Sequence, residues 1–124
     1  MTDEINRIIN EDEDGLLIYQ YIANNVDCPA EDMKVLIGHL KQIDRQGQFA
    51  ASAARYLNTV DNGALRPTID ELLEHVIDAD REHKYIADLL PDIYGEDYLE
   101  HAEELAANDR NFRRMFKRVY PKGF

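Results

Sequence analysis

Apolar residues recur at helical spacing along nearly the whole chain, and no segment alternates with the period of two that a half-buried strand requires. That pattern excludes a sheet and leaves helix packed on helix. Ile5, Ile8, Ile9, Leu16, Tyr19, Ala23 and Val26 form one stripe, crossed by Asp12 and Gly15. Cys28-Pro29 resets the chain, with Asp27 or Cys28 as a cap and Pro29 in the first turn. A second helix then carries Met33, Leu36, Ile37, Leu40 and Ile43 and kinks or ends at Gly47. A third runs from Gln48 to about Val60 and terminates at Asp61-Asn62-Gly63, with Gly63 in the left-handed position and Pro67 blocking continuation.

Thr68-Ile69-Asp70-Glu71 reads as a capping box opening a helix that stops at Pro91. A fifth helix spans about 96–107, and Asn108 or Asp109 caps a sixth that ends near Tyr120. The expectation is an all-α, compact single-domain bundle of five to six helices with short loops, occupying 1–124 and fraying at 1–4 and 121–124. No internal repeat and no low-complexity tract is visible at this level. The small residues Gly47, Ala50 and Ala54 share one side of the third helix, which implies either close approach of another helix or a self-association face.

Composition narrows the function classes. With 124 residues, 44% hydrophobic and 31% charged, the chain has the balance of one folded domain rather than a disordered segment. A net charge of −11 argues against whole-surface binding to nucleic acid or anionic lipid. One cysteine, Cys28, excludes an internal disulfide and an all-thiolate zinc site. The acidic start MTDEINRIINEDEDG lacks the features of a secretory signal, and no apolar run is long enough to span a bilayer. A cytoplasmic protein with a reduced Cys28 and no membrane partner is expected. Gly-rich phosphate loops are absent, and Ser52 sits within Ala-Ala-Ser-Ala-Ala rather than on a strained turn.

Two sets of side chains carry the metal reading. On the helix from Thr68 to Leu90, Asp80 and His83 fall on the apolar side at i and i+3. They are then either a buried polar pair that fixes helix register or half of a ligand set, because inward acid-x-x-His motifs hold di-iron and di-manganese centres in bundles. His39 and His101 have no acid three residues earlier, so a second motif is missing. The other set is Glu71 and Glu74 with Glu100 and Glu103, whose spacing on two helices suits Mg²⁺ and phosphate chemistry. That spacing resembles the paired carboxylates of all-α nucleotide pyrophosphohydrolases, although Glu103 stands where that pattern has an aspartate. Four residues do not identify a family. No resident cofactor is expected beyond this divalent-metal alternative.

The strongest asymmetry lies at the C-terminus. Residues 109–124 hold Arg110, Arg113, Arg114, Lys117, Arg118 and Lys122 against one acid, Asp109, for a charge of +5, so residues 1–108 carry −16. Phe112, Phe116 and Tyr120 recur at i, i+4 and i+8 among these cations, which makes a basic amphipathic helix. Its basic side either docks on the protein's own acidic helices, contacts an acidic partner protein or second subunit, or touches nucleic-acid phosphates. The −16 remainder opposes the last of these. The leading expectation is a small interaction or adaptor module, with Arg110, Phe112, Arg113, Arg114, Phe116, Lys117 and Arg118 as contact residues. A metal-dependent helical hydrolase or oxidoreductase is the enzyme alternative.

Overall fold

Eight α-helices and one 3-10 turn occupy residues 3–122, the part of the chain that the computed structural model describes, and no strand occurs among them. In chain order they are α1 (Asp3–Glu11) and α2 (Leu16–Asn24), α3 (Ala30–Ile43) and α4 (Gln48–Asp61), and α5 (Arg66–Ala79) and α6 (Ile86–Tyr94), each two joined by a short loop. The 3-10 turn Tyr98–His101 leads into α7 (Ala102–Asn108), which pairs with α8 (Arg110–Val119). The all-α class stands. The helix number exceeds the expected five to six because two apparently continuous stripes each contain a loop, at Asp12–Gly15 and at Asp80–Tyr85.

Those loops share one device. Asp12, Asp44 and Asp80 each follow the last residue of a helix, and each backbone N–H still bonds back to a helical carbonyl, on Ile8, Leu40 and Val76. Each side chain is buried and reaches forward to the next helix. Asp12 accepts from the N–H groups of Gly15 and Ile18, at 3.0 and 2.8 Å. Asp44 accepts from Phe49 and Ala50, at 3.2 and 2.9 Å. Asp80 accepts from Lys84, Tyr85 and Ile86, at 2.8, 2.7 and 3.0 Å. One carboxylate thus satisfies orphan donors at the start of one helix from the end of another, and its own burial is compensated by those bonds.

The residue three places after each aspartate has positive φ: Gly15 at 110°, Gly47 at 79° and His83 at 57°. Around this core the pattern is apolar at four further positions: Ile5, Ile37 and Leu73; Ile8, Leu40 and Val76; Ile18, Ala50 and Ile86; Ile22, Ala54 and Leu90. All twelve are buried. The chain therefore contains a threefold helix–Asp loop–helix repeat, contrary to the expectation of none. The fourth hairpin keeps the aspartate but drops the loop that follows it. There Asp109 follows α7 directly and caps α8 through the Phe112 N–H at 3.0 Å.

Packing follows the repeat. The second helices lie side by side, α2 against α4, α4 against α6 and α6 against α8, while α5 packs on α4 and α8. Buried Ala50, Ala51, Ala53 and Ala54 let α5 approach α4 closely; a methyl group on Gly47 would meet the Val76 Cα at 3.1 Å. The small-residue side of α4 is thus covered from within, which removes it as a self-association face.

Several local expectations are corrected. Helix α5 begins at Arg66, so Pro67 sits in its first turn and Thr68 caps nothing; Glu71 instead pairs with Lys41 at 2.9 Å. Pro29 is the N-cap of α3 rather than a first-turn residue. Gly63 does not have positive φ; the turn is held by Asp61 accepting from Gly63 and Ala64. Pro91 lies inside α6, near its C-terminal end. Lacking an N–H, it offers no i→i−4 donor to the carbonyl of Ala87, an exposed residue. Of the residues expected to fray, Asp3 and Glu4 are helical, Pro121 and Lys122 lie in a turn, and 1, 2, 123 and 124 fall outside the described residues.

Candidate binding surface

The C-terminal helix is held from its first turn. Asp109 accepts from the Phe112 N–H and from the Arg66 guanidinium, whose Nη2 lies 2.8 Å from its carboxylate. Arg66 also pairs with Asp70 at 2.9 Å and stacks over the Tyr94 ring at 5.4 Å from its centroid. Burial, and after it the Asp109 charge, push the Tyr94 phenol far above its ordinary pKa, so it stays protonated in this network. The Asn111 side-chain amide donates to the Asp70 carbonyl at 3.2 Å. These bonds set α8 against α5 and α6 in a fixed rotation.

That rotation turns the aromatic side inward. Phe112 is fully buried and Phe116 nearly so. Phe112 meets Tyr94 edge-on at 5.0 Å and stacks with Phe116 at 5.4 Å. The two phenylalanines expected to be partner contacts are core residues instead, because an amphipathic helix in a small domain buries its apolar side whatever its polar side does. Among the cations, Arg114 is half-buried and pairs with Asp78 of α5 at 2.9 Å. Arg113 is exposed, and its Nη1 donates to the Ala106 carbonyl at 2.9 Å. Arg118 is half-buried, with its Nη1 shut away from solvent. Arg110 and Lys117 are exposed and have no ion-pair partner among the described residues. Arg110, Arg113 and Lys117 stand at i, i+3 and i+7, so the three lie along one outward stripe.

The expected Asp80–His83 pair is not formed. Asp80 is buried as foreseen, but it ends α5 and its oxygens are taken by the three backbone donors of the loop. His83 is exposed on that loop rather than on a helix face. An acid-x-x-His ligand set needs helical geometry, so this pair does not supply half of a di-metal centre. Of the second carboxylate set, Glu71 is engaged by Lys41, while Glu74, Glu100 and Glu103 are exposed. Among the described residues the group whose ligand atoms converge is Asp97, Glu100 and His101, all within 4.8 Å of one another and all exposed. His101 Nε2 lies 3.2 Å from an Asp97 oxygen within it. Glu100 is the one residue it shares with the sets considered from sequence.

A half-buried histidine to which the sequence assigned no role lies elsewhere. The His75 Nε2 contacts the Asp44 carbonyl at 2.8 Å and its carboxylate at 3.5 Å, joining α5 to the loop between α3 and α4. Burial lowers the His75 pKa, but the hydrogen bonds and charge of Asp44 outweigh it and the pKa is raised. Cys28 is half-buried, and burial followed by the charges of Asp32 and Asp27 pushes its thiol up, away from the reactive thiolate. No described helix is long and apolar enough to cross a membrane. Comparison of the chain with protein-family models, with curated proteins and with solved structures gives no match.

Proposed function

We propose that this chain is a non-catalytic helical interaction module that meets an acidic protein partner through the outward stripe of α8. The observation that carries this reading is the split of α8 into two sides with separate duties. Its aromatic side is locked in the core, while Arg110, Arg113 and Lys117 are exposed along one stripe. Rigid presentation lowers the ordering cost of binding, and arginine is well suited to carboxylate recognition. The nearby acidic body, with −16 over residues 1–108, repels polyanions such as nucleic acid yet tolerates a contact confined to one helix.

The test compares the wild-type chain with the triple variant Arg110→Gln, Arg113→Gln, Lys117→Gln in affinity capture from native extract. Because none of the three is buried, the variant is expected to melt within a few degrees of wild type. A protein retained by wild type and lost from the variant, with binding that weakens as salt rises, supports the reading. Equal capture by both chains overturns it.

A further inference from the structure

We propose a small-molecule phosphate site in the cleft between the second and third aspartate loops. The cleft has a volume of about 340 Å³ and is lined by Arg45 and Gln46 from one loop and by Asp78, Arg81, Glu82 and Lys84 from the other side. Its acids are already matched. Asp78 pairs with Arg114 at 2.9 Å and Glu82 with Lys84 at 3.0 Å. Asp80, at the base, is buried and hydrogen-bonded to three backbone N–H groups. Arg45 and Arg81 are left exposed, with no ion-pair partner among the described residues.

That absence is notable for this chain. Residues 1–108 hold 24 acids and eight bases, and five of those bases (Arg7, Lys41, Arg55, Arg66 and Lys84) have an acidic partner. Two of the remaining three line the same cleft. They also occupy the same position of the repeat, directly after the capping aspartate, where the N–H of each bonds to the carbonyl two residues back, on Ile43 and Ala79. Both side chains therefore leave backbone that the loop holds in the same way. At the equivalent place in the first loop stands Glu13, so the neighbouring cleft that Arg45 also lines has Glu13 and Asp14 on its other wall. The pairing of two free guanidiniums is specific to the cleft between loops two and three.

The chemistry selects the ligand. A carboxylate is satisfied by one guanidinium fork, whereas a phosphate monoester offers three terminal oxygens and two charges and can engage two forks at once. The volume is at the small end of ligand pockets, and the surrounding acidic excess disfavours a long polyanion. A phosphate on a small molecule fits both limits. This inference uses neither the α8 stripe nor its partner, so it stands or falls separately from the function proposed above.

The experiment is calorimetric titration of the full chain with inorganic phosphate and with glycerol 3-phosphate, at ionic strength matched with sodium chloride. Saturable binding at one site is expected, weakened about tenfold or more by Arg45→Gln and by Arg81→Gln. Arg45→Lys and Arg81→Lys, which keep charge but lose the fork, give intermediate loss and guard against a glutamine variant that fails to fold. Tighter binding of the ester identifies an organic phosphate as the natural ligand, and equal binding identifies free phosphate. Absence of saturation, or unchanged affinity in the Arg45 and Arg81 variants, overturns the site.

Discussion

A single position of the repeat shows how much one backbone angle decides. Gly15, Gly47 and His83 all lie three residues after a capping aspartate with positive φ, a region that costs a side-chain-bearing residue roughly 1–2 kcal/mol. At Gly47 the added Cβ also meets backbone, the Val76 Cα at 3.1 Å, and α5 cannot retreat without opening its contact with α4. At His83 the side chain is exposed, and histidine is among the residues that tolerate this region. Gly47→Ala is therefore expected to lower unfolding free energy by about 2 kcal/mol or more. His83→Gly relieves strain but adds unfolded-chain entropy of about 0.5–1 kcal/mol, so it stays near neutral. Urea midpoints of the two variants decide the matter; equal losses would mean that the shared loop geometry does not govern stability. The histidine is also why the third loop was illegible. Arg81-Glu82-His83-Lys84 contains no glycine or proline, so apolar periodicity runs through it and places Asp80 and His83 side by side on a helix that has already ended. Aligning Asp12, Asp44 and Asp80 makes the match to Gly15 and Gly47 visible in the sequence itself.

At the scale of elements, the carboxylates that begin one helix also fix the end of another, and His75 extends this to a third. Its ring ties α5 to the α3–α4 loop through the Asp44 carbonyl and carboxylate, beneath a surface that leaves the side chain 10% exposed. Because its folded pKa is raised above the unfolded value of 6.5, the protonated form is favoured in the fold. The stabilisation is fully present below the unfolded pKa and is lost as pH rises through the folded one. Urea midpoints should thus fall between about pH 6 and about pH 8 in the wild-type chain. In His75→Gln, which can still donate an amide N–H to the Asp44 carbonyl, the curve should flatten over that range. An unchanged slope in the variant would assign the pH dependence to other groups. Helix type was legible, since Met33, Leu36, Ile37 and Leu40 or Ile69, Leu72, Leu73 and Val76 recur at the spacing of an amphipathic helix. Boundaries were not, wherever the stop was made by a side chain reaching forward six residues rather than by glycine or proline. Thr68 and Glu71 show the converse, a capping signature overridden because Pro67 serves equally well inside a first turn and Lys41 claims the glutamate.

Across the whole molecule, the row α2, α4, α6, α8 ends on the one region with a positive balance, and the body behind it is crowded with acids. The charge gradient was plain in the sequence; what required the structure was that Phe112 and Phe116 face inward and that Arg114 is engaged by Asp78. Two electrostatic effects then compete in folding. Exposed ion pairs such as Arg7–Glu11, Lys41–Glu71 and Arg55–Asp92 each contribute no more than about 1 kcal/mol and are weakened by salt. Self-repulsion of a chain at −11 acts on every acid at once and is also weakened by salt. With 25 acids against 14 bases, the second effect should win. The urea midpoint is therefore expected to rise between about 0.05 and about 0.5 M sodium chloride, over which screening shortens to a few ångströms. Removing the three outward cations of α8 takes the net charge from −11 to −14, three positive charges fewer, and should steepen that rise without moving the high-salt value. A midpoint that falls with salt would mean that the pairs on the surface outweigh the repulsion, and that the α8 cations stabilise the fold instead of standing free of it.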